Sequence, residues 1–281
     1  MAIKPFKDLS IVDDFMFSEV MRQPENVKPF LEALLGKSIA EVVYIDKQKD
    51  LKDEYDAHGI RLDVYLKDEH NTKYDVEIQA SLHSALEKRV RYYQSGIDRH
   101  SLEISADYED LSESYVIFIC AQDYYKAGLA VYERESHIKG APQVLYEDGS
   151  HVFILNADFT IENANHEILS FLRYVRAGYK GESFDVSHSS YLAQIETAIS
   201  NIKKNSGREV EYMTMAMKML DERKAGREEG RKEGRKEGRK EGRKEGVKEV
   251  AQRMLSRGLS PEEISGLTGL DLSEVEKLTR Q

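Results

Sequence analysis

Two short segments, Gly59 to Leu66 and Lys73 to Gln79, alternate apolar and polar residues and are joined by the polar run Lys67-Asp68-Glu69-His70-Asn71-Thr72. Alternation with period two is the pattern of a strand with two distinct faces, and the short polar joint predicts an antiparallel hairpin. In the first segment Arg61, Asp63 and Tyr65 share one face, while Leu62, Val64 and Leu66 share the other. In the second, Tyr74, Val76 and Ile78 form the apolar side, and Asp75, Glu77 and Gln79 project opposite. This spacing lets Asp63 and Glu77 approach across the strand pair, and two carboxylates so placed repel unless a cation lies between them.

The segments around the hairpin extend it into an α/β fold. Apolar residues recur at helical spacing from Ile11 to Leu35, with a break at Gln23-Pro24-Glu25-Asn26 and a stop at Gly36, which predicts two short helices. Glu41 to Asp46 is a third strand candidate, Ser84 to Leu102 a helix, and Ser114 to Ala121 an almost continuously apolar run expected to be a strand buried on both faces. Leu129 to Arg134 and His151 to Asn156 are further strands, and helices resume from Glu162. The order predicts an α/β core with a mixed central sheet flanked by helices, followed by a helical C-terminal extension.

A long helix is expected from about Arg208, leading into four Gly-Arg-Lys-Glu tetrads between Gly230 and Gly246. Each glycine costs a helix about 1 kcal/mol relative to alanine, and the repeat has no apolar seam. A solvated linker is therefore favoured over a helical arm for oligomerisation. Beyond it, Ser260-Pro-Glu-Glu263 and Asp271-Leu-Ser-Glu274 are two helix starts, and Ile264, Leu267, Leu270, Val275 and Leu278 are expected to pack the two helices together. This unit is similar to a helix-turn-helix, but its acidic balance favours a protein-interaction role. The expected boundaries are 1–160 for the core, 161–206 for a helical extension, 207–250 for the long helix and repeat arm, and 251–281 for the small C-terminal unit.

Charge is divided unevenly. Residues 1–206 carry 23 Lys and Arg against 35 Asp and Glu, and residues 207–281 carry 18 against 16. The N-terminus lacks the apolar stretch of a secretory signal, and no run is long enough for a membrane span, so a cytoplasmic protein with no membrane partner is expected. The single cysteine, Cys120, lies in an apolar run and is expected to be buried and inert. The absence of tryptophan argues against a carboxylate-pair glycosidase, whose sugars stack on such rings. His58, His70 and His83 lack ligand spacing and are expected to face solvent.

Paired acids on a hairpin suit metal-assisted phosphodiester cleavage, which needs hard oxygen ligands and compensation of charge in the transition state. On this reading Asp63 bridges Mg²⁺, with Mn²⁺ able to replace it. Glu77 is a second ligand, the Ile78 carbonyl a third, and Gln79 orients the attacking water.

The pattern Asp63-x₁₃-Glu77-x-Gln79 on a hairpin between helices resembles the PD-(D/E)XK restriction-endonuclease-like fold, and in particular the recombination-promoting nuclease/transposase (Rpn) family. The likeness is carried by Ile11-Val-Asp-Asp-Phe-Met-Phe17, Pro24 to Gly36, Arg61-Leu-Asp63, Val76-Glu-Ile-Gln79, Lys88-Arg-Val-Arg-Tyr-Tyr93, Tyr115 to Cys120, Gly128 to Glu135, and Glu211-Tyr-Met213 ahead of the repeat. The resemblance implies a Mg²⁺-dependent DNA endonuclease associated with recombination and transposition. By position, Asp63 and Glu77 are the metal-binding acids, and Gln79 stands where the motif has lysine, without that lysine's charge. Glu19 is the expected auxiliary acid, with Asp13 and Asp14 competing for the role. Arg89 and Tyr92, three residues apart on the following helix, are expected to face the site and contact the scissile phosphate. Two partners are expected, DNA and a second copy of the chain bound through residues 208–281. The alternative is a catalytically degenerate nuclease fold that binds DNA or protein and oligomerises through its C-terminal arm.

Overall fold

The computed structural model describes residues 3–51, 60–81, 84–102 and 105–278, and the side chains of 44–51, 60 and 61 lie outside that description. Contacts divide the chain into two compact units, residues 1–212 and 213–281.

The first unit is built on a six-stranded sheet. Its strands are β1 (Val42–Leu51), β2 (Ile60–Asp68), β3 (Lys73–Gln79), β4 (Ser114–Cys120), β5 (Val131–Glu133) and β8 (Ser150–Asn156), in spatial order β1-β2-β3-β4-β8-β5. The pairs β1–β2 and β2–β3 are antiparallel, β3–β4 and β4–β8 are parallel, and β5 closes one edge antiparallel to β8. The sheet is mixed, as the alternating and continuous apolar patterns predict. Every residue of β4 is buried, which is why its sequence shows no alternation.

Parallel pairing of β3 with β4 requires a crossover, and α3 (Leu86–Ser101) supplies it. Leu86, Val90 and Ile97 of α3 pack with Tyr65, Val116, Phe118, Cys120, Val152 and Ile154 in one buried cluster. In register, Asp75, Glu77 and Gln79 lie beside Val116, Phe118 and Cys120. The polar face of β3 therefore lies under α3 and not in open solvent, and β3 is buried along its whole length.

Helices α1 (Asp14–Met21) and α2 (Pro24–Leu35) begin and end where the sequence breaks them. Pro24 stands in the first turn of α2, and Gly36 closes it in the left-handed conformation at φ +64°. Two more helices, α4 (His166–Lys180) and α5 (Ser190–Lys203), complete this unit. The small hairpin of β6 (His137–Ile138) and β7 (Ala141–Leu145) was not anticipated, because two short exposed strands leave no burial pattern to read.

The repeat is not an irregular linker: α6 (Ser206–Ser256) is one continuous helix through all four tetrads. Its glycines disfavour it as an isolated helix, but its ends are held. Within the first unit, Tyr212 packs on Phe15 at 5.3 Å and Phe6 at 5.8 Å, and its hydroxyl donates to the Lys4 carbonyl at 2.8 Å. Within the second, Ala251 is buried with Ile264, Leu270 and Val275, supported by Val247, Met254 and Leu255. Anchored ends remove the nucleation penalty, so the Arg, Lys and Glu between them need only propagate the helix, for which they have good propensity. Arg208 and Tyr212 also belong to the first unit, so a truncation near Asn205 cuts into its packing. Helices α7 (Pro261–Thr268) and α8 (Leu272–Leu278) follow, and α7 opens with both bonds of the Ser260–Glu263 capping box. Of the apolar set expected between them, Leu267 is 67% exposed and does not pack.

A Cβ added at Gly234, Gly238 or Gly242 meets nothing within 4 Å. Replacing all three by Ala should raise helical circular dichroism of the full chain and stabilise α6 by about 1 kcal/mol per site. Unchanged or reduced helicity would show that these glycines do not sit in a free helix. Among the described residues, no helix is long and apolar enough to cross a membrane.

Candidate active site

The β2–β3 ladder pairs Lys67 with Lys73 and continues to Val64 with Val76, where it ends. Beyond that point the two acids occupy the place of strand-to-strand bonds. The Asp63 N–H donates to Glu77 Oε1 at 2.7 Å, and the Ile78 N–H donates to Asp63 Oδ2 at 3.3 Å. Each carboxylate thus takes a backbone donor of the facing strand, which holds the pair close and keeps the hairpin open there. The structure brings Asp63 and Glu77 together on the face beneath α3. Ile78, whose carbonyl was expected as a further ligand, has its backbone beside this pair through its N–H bond to Asp63.

Asp75 is a third acid that the sequence reading left out of the site. It is fully buried, and no described N–H or O–H donates to either of its carboxylate oxygens. Burial raises its proton affinity well above the usual carboxylate range, and Asp63 adds to the effect while the Glu77 carboxyl against it opposes it. Glu77 is 3% exposed and is raised for the same first reason, with Asp75 as the next cause. The signal for Asp75 was its parity with Glu77 on a strand whose neighbour is apolar on both faces.

Among the described residues, one cation faces these acids. The Arg89 guanidinium on α3 lies 3.9 Å from Glu77, donates to Gln79 Oε1 at 2.8 Å and to the Tyr93 hydroxyl at 3.1 Å, and lies over the Phe118 ring. Burial works against its charge, but Tyr93, Glu77 and Asp63 outweigh it, so its proton affinity rises. Burial and then the Glu77 charge push the Tyr93 hydroxyl up to about 12. The Gln79 amide is also committed on its other side, donating to the Ser81 carbonyl at 2.8 Å.

Two expected site residues are placed differently. Tyr92 is 38% exposed on α3, and the tyrosine that meets Arg89 is Tyr93, one helical turn on at i+4. Glu19 is 1% exposed, but its carboxylate is held by Arg22 at 3.0 Å and Arg208 at 3.1 Å. Those contacts tie α1 to the start of α6. Its competitor Asp13 pairs with Lys4 at 2.7 Å and accepts from the Ser10 N–H. The His70 side chain is 82% exposed, as expected, while His58 and His83 lie outside the described residues. Cys120 is 2% exposed and burial pushes its thiol up to about 12, so it is no nucleophile.

Among the described residues, no three His, Cys, Asp or Glu side chains are already arranged as a metal cage. The donor set nonetheless suits a hard divalent cation. Asp75 presents two donorless buried oxygens beside Glu77, Asp63 is half-buried at the open end of the hairpin, and among the described residues one arginine stands against these three acids. Without a cation, such a pair of buried carboxyls is stable only with a proton held between them. A divalent ion satisfies the same oxygens and cancels the charge.

Comparison with known proteins agrees with this geometry. No curated protein and no solved structure gives a match. A family model described as "PD-(D/E)XK nuclease family transposase" matches residues 12–229, which spans the whole sheet and the open hairpin. With most of its length covered by that match, the chain belongs to the PD-(D/E)XK nuclease family of transposases.

Proposed function

We propose that this protein is a divalent-metal-dependent DNA endonuclease that uses Mg²⁺, or Mn²⁺ in its place, with Asp63 and Glu77 as metal ligands. The observation that carries the reading is the open end of the hairpin, where Asp63 and Glu77 lock onto each other's strands beside the donorless Asp75. A bound ion would lower the pKa of an attacking water and take up charge from the phosphoryl oxygens. The protein does the rest. Glu77 is held in place by the Asp63 N–H, and the buried Asp75 lies against it at the back of the site. Gln79, fixed between Ser81 and Arg89, acts as a positioning residue, because its amide is too committed to serve as the main water ligand. Arg89, partly exposed and with guanidinium N–H groups beyond those two bonds, supplies the positive charge that glutamine cannot.

The test is nicking of supercoiled plasmid by the full chain in Mg²⁺, Mn²⁺, Ca²⁺ or EDTA, with metal binding followed separately by thermal shift. Nicking in Mg²⁺ and Mn²⁺, none in EDTA, and a raised melting temperature in Ca²⁺ are expected. Thermal stabilisation by metal without nicking would favour the degenerate binding module. Neither effect would remove the metal site altogether.

A further inference from the structure

The first unit carries an excess of acid, yet affinity for a polyanion comes mainly from Lys and Arg that neutralise phosphates. The family match stops at residue 229, and the repeat begins at Gly230. As a linear sequence the repeat mixes charges, with eight basic and four acidic residues between Gly230 and Glu245. As a helix it separates them. At about 100° per residue, Lys232, Arg235, Lys236, Arg239, Lys240 and Arg243 fall on one side, at i, i+3, i+4, i+7, i+8 and i+11. Those six residues together line a single shallow groove along α6. Gly234, Gly238, Glu237 and Glu241 fall on the opposite side, and Glu233 lies at the flank.

Two further observations point to an outside partner for the basic face. All six side chains are exposed, and among the described residues none of them forms an ion pair with a carboxylate. Lys244, which follows the stripe, is paired with Glu274 at 3.2 Å, so carboxylates of the second unit are within reach of the helix but not of this face. The stripe is about 16 Å long at 1.5 Å per residue. Duplex DNA presents a phosphate about every 3.4 Å of each strand over that length. No aromatic side chain or apolar seam accompanies the cations, so the face suits the phosphate backbone and not base edges.

We infer that the Lys232–Arg243 face of α6 is a sequence-independent binding site for the DNA phosphate backbone. It raises the local concentration of substrate for a nuclease core whose own surface is acidic. The inference rests on DNA being the substrate of the proposed function, but it is tested without cleavage.

Binding of the full chain to fluorescent duplexes of unrelated sequence is measured by anisotropy in EDTA, across a salt series. Replacing Lys232, Arg235, Lys236, Arg239, Lys240 and Arg243 by Gln, a residue that keeps helix propensity, should weaken binding at low salt by at least about 100-fold. The slope of log K against log salt should fall by about 4 to 5. Replacing only Lys232, Lys236 and Lys240 should give about half that change in slope. Replacing Glu233, Glu237 and Glu241 by Gln should leave binding equal or tighter. Circular dichroism checks that α6 persists in each variant. An unchanged slope in the six-site variant overturns the inference. So does a change in assembly state by light scattering with DNA affinity kept, which would make the face a contact between copies of the chain. A six-site variant that binds weakly but still nicks at high protein concentration leaves the metal-site reading intact. A wild-type chain that binds DNA through this face and never nicks sinks that reading alone.

Discussion

Replacing Glu77 by Gln is expected to lower Mg²⁺-dependent nicking by at least about 10³-fold, and also to raise the melting temperature of the metal-free protein. The two effects have one cause. Glu77 is 3% exposed, lies against the fully buried Asp75, and has Arg89 3.9 Å away. Without metal, the pair lies together only by holding a proton between its carboxyls, and a glutamine amide, which donates to Asp75 without taking up that proton, relieves the core. The glutamine amide keeps the shape, and its Oε1 can still accept the Asp63 N–H, so the open hairpin survives the change. Relief of about 1 kcal/mol corresponds to about 2–4 °C in a domain of this size. Asp63→Asn should abolish nicking similarly but change metal-free stability less, because Asp63 is only half-buried. Plasmid nicking and thermal shift with and without Ca²⁺ read both effects. Ca²⁺ should stabilise the wild type and neither variant. A Glu77→Gln protein that nicks within tenfold of wild type, or that Ca²⁺ still stabilises fully, would remove Glu77 from the metal site.

The parts of this fold that were legible are those where one physical signal dominates. Parity along Arg61 to Leu66 and Tyr74 to Gln79 places Asp63 and Glu77 on one face, and the continuous apolar run of β4 gives its double burial. Pro24, Gly36 and the Ser260–Glu263 box mark helix ends because each satisfies a specific end requirement. What was not legible depends on tertiary context. The helical state of the repeat comes from anchors at Tyr212 and Ala251, more than twenty residues apart from each other, and no local propensity sum contains them. The choice of Tyr93 over Tyr92 turns on whether the Arg89 side chain reaches its i+3 or i+4 neighbour, and Phe118 beneath Arg89 settles it for i+4. Asp75 was not singled out because the covering of β3 by α3 is a crossover property and not a strand property. The surroundings of Glu19, which the resemblance offers as the auxiliary acid, are equally non-local: Arg208, almost two hundred residues away in sequence, lies against its carboxylate.

The second large effect concerns the charge that the motif lysine lacks here. Arg89→Ala should lower kcat by about 10²-fold, with a smaller effect on KM, if its guanidinium acts mainly on charge developing at the phosphate. The same substitution leaves Gln79 Oε1 and Glu77 without their cationic neighbour, so some loss of stability accompanies it. Stability alone cannot explain a rescue, and the geometry supplies one. Gln79 projects from β3 on the Glu77 face, two residues along, so a lysine at 79 directs its ammonium into the space that Arg89 vacates. Adding Gln79→Lys to Arg89→Ala should therefore recover at least about tenfold in kcat. In the wild-type background Gln79→Lys should gain much less, because Arg89 already occupies that place and two neighbouring cations repel. Arg89→Lys should be intermediate, since an ammonium cannot reach Gln79 and Tyr93 together as the planar fork does. Single-turnover cleavage rates for the four combinations at residues 79 and 89 form a double-mutant cycle that reads the coupling directly. If the double variant is no faster than Arg89→Ala, Arg89 works by holding Glu77 and Gln79 in place and not by supplying charge. If Arg89→Ala cuts within twofold of the wild type, the glutamine form of the motif needs no cation at this position.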